Sequence, residues 1–476
     1  MITRRDFTRL SLFGVGLGLA NCSAQPDLSV ADSTQSSESS DLIVWWEQGH
    51  LSAENEQITQ IVRQWEQKFG LTVNLKIMPV DLIAEKFSQL IEESATATSQ
   101  LPDILYSVGV DPSLAPKLAW RDELLDLSEV IESAQDRYTP VALSQVFYRN
   151  QVRGERNYYA VPLWQAEDYI HYWKPFIEEL GYSPADVPME WNAFWQFWQN
   201  AQTQLRTKGH PDLYGIGLSM SDSGFDTYTS LIMFLDAYNV EVVSDEGELL
   251  LVESQNRQRM AAALNEYTRF FLEGYVPPTA VKWSGSGNNS NFIAGNVIMT
   301  QNLTLSIPLT QKLPPSVYNQ DAAKRYRQMA TIGRPQKPDG AELLTRKGIK
   351  QAIVPKNCPH PEAAQEFLKY LIEPQNLKQL IIGFKGRVLP VMPQLFENSI
   401  WSDSSDPHLS AAFKVFQRPS LLPYEVIHSA FSEVQNQQLW GKTLLKIIED
   451  NASPTEAADW VIKEIQDIWI QWEQPK

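Results

Sequence analysis

The hydrophobic pattern that begins at residue 42 predicts alternating strands and helices. A continuous apolar run at 42–46 predicts a buried strand. The next apolar residues recur every three or four positions and predict a helix that ends at Gly70, while residues 71–77 alternate like a strand with one exposed face. A second helical pattern covers 82–91, and 103–108 read as a third strand. This order predicts a parallel sheet covered by helices.

Ligands of such sheets bind beyond the carboxyl ends of the strands, where the chain changes direction. Trp45 and Trp46 end the first predicted strand, Glu47 follows it, and Tyr106 lies near the end of the third. We therefore expect these four side chains at a ligand crevice.

An aromatic stripe marks a later helix. Trp191, Phe194, Trp195 and Trp198 recur at the spacing of one helical face. A stripe at this spacing favours core packing over ligand contact.

Chain length and net charge indicate how many lobes to expect and which partners are unfavourable. The chain has 476 residues, more than one hydrophobic core usually holds, so two lobes are expected. Because residues 1–21 carry three arginines and one aspartate, the formal net charge of −17 becomes −19 without them. Such an acidic surface argues against nucleic acid or an anionic membrane face as a partner.

The N-terminal segment is predicted to contain export signals rather than part of the folded lobes. Residues 3–9 resemble a twin-arginine signal, and the apolar run 10–20 is shorter than the about 20 residues that span a bilayer. Residues 19–22 resemble a lipobox, so we predict a signal at 1–22, lipidation of Cys22 and a flexible tether at 23–41. The alternative is an uncleaved signal anchor; both place the protein outside the cytoplasmic membrane, tethered to it.

Few residues suggest covalent chemistry. With Cys22 lipidated, Cys358 has no partner, so no disulfide is expected. The six histidines lack metal-ligand spacing, and neither a nucleophile elbow nor a phosphate loop is present. A glycosidase-like pairing of Glu167 or Asp168 with Glu47 stays open, although adjacent strand residues point to opposite faces.

Several short segments resemble, in their order, the extracellular solute-binding protein family 1 of bacterial ABC importers. The segments are 102–106, 159–162, 171–174, 188–191, 292–300, 360–371, 386–391 and a capped helix from Ser453. Ala160, Trp173 and Glu190 stand where the family usually has glycine, asparagine and threonine.

The resemblance implies a periplasmic-binding-protein-like α/β fold. Its two lobes would each have a mainly parallel sheet flanked by helices, and hinge crossings would join them. We place the first lobe at 42–160 plus 303–372 and the second at 163–299 plus 373–476, with crossings near 161–162, 300–301 and 372. The family implies a monomer that hands a solute to permease subunits, with no cofactor, metal or catalysis.

The aromatic content favours a sugar, oligosaccharide or polyol as the solute. The chain has 15 tryptophans and 17 tyrosines, and sugar rings stack on aromatic planes while their hydroxyls bind carboxylates and amides. The candidate contacts are Trp45, Trp46, Glu47, Tyr106, Trp164, Glu167, Asp168, Trp283, Asn302 and Arg387. Polyamine, ferric ion and phosphodiester remain possible solutes, and the other function classes are an exported glycoside-acting enzyme and a tethered interaction protein.

Overall fold

The computed structural model describes residues 42–93, 101–111, 113–312, 320–397, 400–403 and 405–474. The predicted signal, the lipidation site Cys22 and the tether lie outside the described residues. Within the described part, no helix is both long and apolar enough to cross a membrane.

Strands and helices alternate along the described chain. The strands are β1 (Leu42–Glu47), β2 (Val73–Met78), β3 (Ile104–Tyr106), β4 (Phe147–Asn150), β5 (Glu155–Tyr158), β6 (Val161–Ala166), β7 (Tyr169–Trp173), β8 (Tyr214–Gly217), β9 (Val297–Asn302), β10 (Met329–Ile332), β11 (Thr345–Arg346), β12 (Gly348–Ile353) and β13 (Ser420–Leu421). The helices are α1 (Ser52–Phe69), α2 (Val80–Glu93), α3 (Ala115–Trp120), α4 (Ser128–Glu132), α5 (Pro140–Ser144), α6 (Lys174–Glu179), α7 (Trp191–Thr207), α8 (Phe225–Ala237), α9 (Ser254–Leu272), α10 (Gly287–Ile293), α11 (Ser306–Leu309), α12 (Gln320–Gln328), α13 (Pro361–Leu371), α14 (Pro374–Ile382), α15 (Pro407–Phe416), α16 (Tyr424–Ile427), α17 (Ala430–Asn436), α18 (Leu439–Ile448) and α19 (Pro454–Glu473).

The first sheet has the strand order β2-β1-β3-β12-β6. β1 pairs in parallel with β2 and β3, whereas β12 runs antiparallel to β3 and β6. The carboxyl ends of β1, β3 and β6 therefore share one edge with the amino end of β12. This edge faces the chain segments that cross to the second sheet.

The second sheet has the order β10-β7-β9-β8. Only β8 and β9 pair in parallel, so this sheet is less parallel than expected. The reason is the route of the chain. β7 carries the chain away from the first sheet, and its neighbours β9 and β10 both carry it back.

Two separate hydrophobic cores give the chain two lobes, as predicted. The first core surrounds the five-stranded sheet and includes Trp65, whose ring lies edge-on to Phe367 at 5.5 Å. The second core surrounds the four-stranded sheet and contains the whole aromatic stripe of α7. In that stripe Trp191 and Trp198 have no exposed surface, which confirms the core role predicted for it.

The cores divide the chain at other positions than the sequence prediction. β6 lies in the first sheet, so the first crossing falls at 167–168, and the second follows β9. The chain crosses again between α12 and β10, between β10 and β12 and between α15 and α16. Helix α14 is predicted in the second lobe but packs in the first core. The glycine that follows it, Gly383, lies close against α1, since a Cβ at this position would be 2.9 Å from the Ala53 carbonyl oxygen.

Candidate functional site

Three of the predicted aromatic residues meet at the crossing edge of the first sheet. The rings of Trp46 and Tyr106 lie 4.3 Å apart, because β1 and β3 pair with these residues side by side. Trp164 on β6 donates a hydrogen bond from Nε1 to the Tyr106 hydroxyl at 2.8 Å. All three side chains are buried, so they pack beneath the surface of this edge.

Glu47 joins this group, whereas Trp45 does not. The Glu47 Oε2 accepts hydrogen bonds from Ser107 Oγ at 2.9 Å and from the Val108 amide at 2.7 Å, and burial raises the pKa of this carboxyl. Trp45 points to the opposite face of β1, where Lys76 Nζ lies 5.9 Å from its ring centroid.

Glu167 and Asp168 lie within the first crossing and are fully buried. Glu167 is 3.7 Å from Lys347 Nζ and accepts a 2.5 Å hydrogen bond from Gln165, while burial raises its pKa to about 8. Asp168 forms an ion pair with the buried guanidinium of Arg334. These two pairs tie separate crossing segments together. With no exposed surface and a cation each, the two carboxylates do not have the accessibility expected of solute contacts.

The remaining predicted contacts are held within local networks. Trp283 donates to Thr279 Oγ1 at 3.1 Å, and its carbonyl accepts from Ser221 Oγ at 2.5 Å. Asn302 accepts from Asn288 Nδ2 at 3.3 Å. The Arg387 guanidinium binds both oxygens of Glu54 at 2.9 Å. Their roles as solute contacts stay predictions.

A narrow cavity lies between the two lobes in front of the crossing edge. It offers about 40 Å³ to the centre of a water-sized sphere, which is room for roughly three waters. The lining comes from the first lobe, the crossing segments and the second lobe: Asp111, Gln145, Tyr148, Ala166, Gly348, Ile349, Lys350, Gln351 and Val426, then Leu303 and Arg346, then Phe225, Pro423 and Glu425.

Two ion pairs and one ring form the polar part of this cavity. Lys350 Nζ lies 3.2 Å from Asp111 Oδ2, and Arg346 donates to Glu425 at 2.8 Å. Phe225, the first residue of α8, faces both cations: its ring centroid is 5.0 Å from the Arg346 guanidinium carbon and 5.8 Å from Lys350 Nζ. Lys350 lies on β12 of the first sheet and Phe225 belongs to the second lobe, so their contact spans the cavity. Arg346 lies on the Phe225 side, where it is also 4.5 Å from the Tyr228 ring centroid.

Several polar atoms of the lining make no hydrogen bond of good geometry with the described residues. They are both carboxylate oxygens of Asp111, Nε of Arg346 and Oε1 of Gln351. The three residues are only 7%, 4% and 3% exposed, respectively. Burial raises the pKa of Asp111 to about 7, against the opposing effect of Lys350. Buried polar atoms of this kind are the groups that a bound solute can satisfy.

Sequence reasoning missed these residues. Lys350 sits inside a predicted strand and Asp111 in a loop after another, and neither belongs to a recognisable motif. The available signal was a run of basic residues, Arg346, Lys347 and Lys350, at the start of a strand that is otherwise suited to burial. Buried positive charge implies partners or ligand nearby.

The residue after Phe225 provides a test of burial. Oδ2 of Asp226 is buried without a hydrogen-bond partner among the described residues, and burial alone raises the pKa to about 7. Because the folded-state pKa lies above the unfolded one, this group makes stability fall as pH rises from about 4 to about 7. The free energy of unfolding of Asp226→Asn, relative to the parent, should therefore improve by about 2–3 kcal/mol between pH 5 and pH 8.

Urea denaturation at the two pH values measures this difference. Asp245→Asn is the control, because it makes the same substitution at an exposed aspartate. Equal behaviour of the two variants would contradict the burial argument for Asp226.

The sequence matches the family model described as bacterial extracellular solute-binding protein over residues 60–411. No relative was found among functionally curated proteins.

Many solved structures share the fold. A solute-binding protein of an ABC transporter from Thermotoga lettingae, bound with α-D-tagatose, is 17% identical with a TM-score of 0.70, and the match covers 90% of this chain and 99% of that one. Maltose-bound MalE3 of T. maritima is 16% identical, with a TM-score of 0.66 and coverage of 90% and 99%. UgpB of Mycobacterium tuberculosis in complex with glycerophosphocholine is 17% identical, with a TM-score of 0.67 and coverage of 91% and 99%. These similarities confirm the predicted two-lobe α/β fold.

Proposed function

Because the chain belongs to the bacterial extracellular solute-binding proteins, we propose that it captures a small solute between its two lobes and delivers it to the permease of an ABC importer. The observation that carries this proposal is the cavity at the crossings, which is lined from both lobes and contains unpartnered buried polar atoms. Such an arrangement completes its contacts only when the lobes close.

The narrowness of the cavity fits capture by closure. Room for roughly three waters is too little for a sugar ring, so the lobes separate to admit the solute and close again around it. In this proposal the crossings are the segments that bend, and their buried ion pairs keep them together during the movement.

A binding role without catalysis is part of the proposal. Two carboxylates at a suitable separation are the usual requirement for glycoside hydrolysis. Here Glu167 and Asp168 each face a buried cation, and Glu47 is held by Ser107 and Val108. This arrangement favours binding over the glycosidase alternative.

The solute class we propose is a sugar, an oligosaccharide or a polyol. Relatives in fold have been captured with tagatose and maltose, and one with glycerophosphocholine. In this chain the cavity combines the Phe225 ring with hydrogen-bonding groups, which suits a polyhydroxylated molecule with an apolar face.

The localisation that we propose from the sequence agrees with this function. The twin-arginine signal would export the protein, and a lipid on Cys22 would hold the monomer at the outer face of the cytoplasmic membrane, within reach of the permease. Like-charge repulsion would limit contact between the acidic protein surface and anionic lipid headgroups.

A thermal-unfolding panel tests the proposal. The full-length protein, extracted in a detergent without a sugar headgroup, is melted with tagatose, maltose, ribitol, spermidine, ferric ion and glycerophosphocholine. A true solute at 100 times its dissociation constant should add about 2.7 kcal/mol of stability. Turnover of a glycoside would favour the enzyme alternative instead, and a panel without any shift would favour the tethered interaction protein.

A further inference from the structure

The charges that line the cavity cancel within it. Asp111 pairs with Lys350 and Arg346 with Glu425, so two cations face two carboxylates. Resting on the function proposed above, we propose that the cavity selects an uncharged, hydroxyl-bearing solute and that the Asp111–Lys350 pair sets this charge preference.

Charge balance gives the first argument. A charged solute would enter a site where every lining charge already has a partner, and would lose its hydration without gaining a counter-charge. Of the nearby acids, Glu47 interacts electrostatically with Asp111 and Lys350, and it is held by Ser107 Oγ and the Val108 amide. Glu47 does not line the cavity, and Glu167 and Asp168 have cations of their own.

The unpartnered atoms give the second argument. Asp111 and Gln351 present acceptor oxygens, whereas Arg346 Nε is a donor. An ammonium group could serve only the acceptors, and a carboxylate or phosphate could serve only the donor. A hydroxyl both donates and accepts, so a molecule with several hydroxyls can satisfy all three residues.

Phe225 adds an apolar surface to the same site. Its ring lies across the cavity from Lys350 and next to Arg346, which places an aromatic plane beside the hydrogen-bonding groups. A sugar or cyclic polyol has both kinds of surface, whereas a linear polyamine has no hydroxyls for the Arg346 donor.

Single substitutions in the Asp111–Lys350 pair are expected to change the charge selectivity in opposite directions. Asp111→Asn keeps the side-chain shape but leaves Lys350 without a counter-charge, so an anionic analogue should gain relative to the neutral sugar. Lys350→Gln leaves Asp111 alone, so a cationic analogue should gain. Each ratio of affinities should change by about tenfold or more, as expected for hydrogen bonds to an unpaired charge.

Calorimetry with matched sugars tests this. The full-length protein and both variants are titrated with glucose, glucosamine and glucuronate, with the three galactose counterparts, and with maltose and ribitol as further neutral probes. The parent should bind at least one neutral probe and should bind its charged counterparts at least about tenfold more weakly. Asp245→Asn, a charge change at an exposed site outside the cavity, should leave every ratio unchanged.

The outcomes separate the two proposals. A parent protein that prefers a charged probe, or variants that weaken all probes equally, would overturn the charge-selection inference while leaving the receptor function intact. No binding of any probe by the folded parent would overturn both.

A second variant guards against misfolding. The double variant Asp111→Asn with Lys350→Gln is again neutral, so its preference should return to the neutral sugars even if its affinity is lower. A double variant that still prefers charged probes would count against the pair as the selecting element.

Discussion

Replacing Arg334 with methionine is expected to lower the free energy of unfolding by about 3–5 kcal/mol. Arg334 is 1% exposed and its partner Asp168 has no exposed surface, so the variant would leave a buried carboxylate without its cation. Among the residues that the structure describes, Gln301 would remain as a partner of Asp168, donating a hydrogen bond from Nε2 at 3.2 Å. Keeping the Asp168 carboxylate buried without water or a cation costs far more free energy than the loss of its attraction to Arg334 alone.

Removing both charges should reverse most of this loss. The double variant Arg334→Met with Asp168→Leu buries no charge, and apolar replacements of buried ion pairs are often neutral or stabilising. Urea denaturation of the parent, both single variants and the double variant gives the coupling energy directly.

The matched control is an exposed pair. Arg257 and Asp459 form an ion pair with side chains 49% and 40% exposed, so Arg257→Met should destabilise the protein far less than Arg334→Met. If Arg334→Met cost no more than this control, the crossing pair would contribute little to holding the hinge segments together.

Replacing Cys22 with serine is expected to move the protein from the membrane fraction to the soluble fraction. The thiol is the site of the proposed lipid, and within the described residues no helix could replace the anchor by crossing the membrane. Fractionation followed by immunoblotting measures the change, and mass spectrometry of the extracted parent should show the lipid on the first mature residue.

Cys358→Ser is the control for this experiment. Cys358 is a buried free cysteine in the first lobe, so its replacement should leave the protein in the membrane fraction. A Cys22→Ser protein that remained membrane-bound would instead support the uncleaved signal anchor, in which the apolar run 10–20 holds the chain.

The elements that local patterns determine could be predicted from the sequence. Helix α1 ends at Gly70, which adopts φ +72° and closes the helix as the pattern indicated. Helix α19 begins with the predicted capping box, in which Ser453 and Glu456 satisfy each other's backbone amides. In each case the signal lies within a few neighbouring residues, so no tertiary information is needed.

The site could be predicted only in part, because its decisive contacts join distant parts of the chain. Glu167 and Asp168 read as accessible acids beside Trp164, and nothing local shows that Lys347 and Arg334 reach them from a later crossing. The same holds for Asp111, whose partner Lys350 lies on β12. The proximity of Trp46 and Tyr106 could be expected, because the strand–helix alternation predicts a parallel sheet whose strand ends meet at one edge. Their contact with a solute stays a prediction.

The second core has a consequence for biosynthesis. Its last helix, α19, packs against α9, α17 and α18, so the core joins residues near 170 to residues near 468. Most of residues 454–473 must therefore leave the ribosome before this lobe can complete its core, so the lobe cannot finish folding while only its first strands and helices have been synthesised. The twin-arginine signal proposed at residues 3–9 would suit this order, since it would allow export of a chain that has already folded.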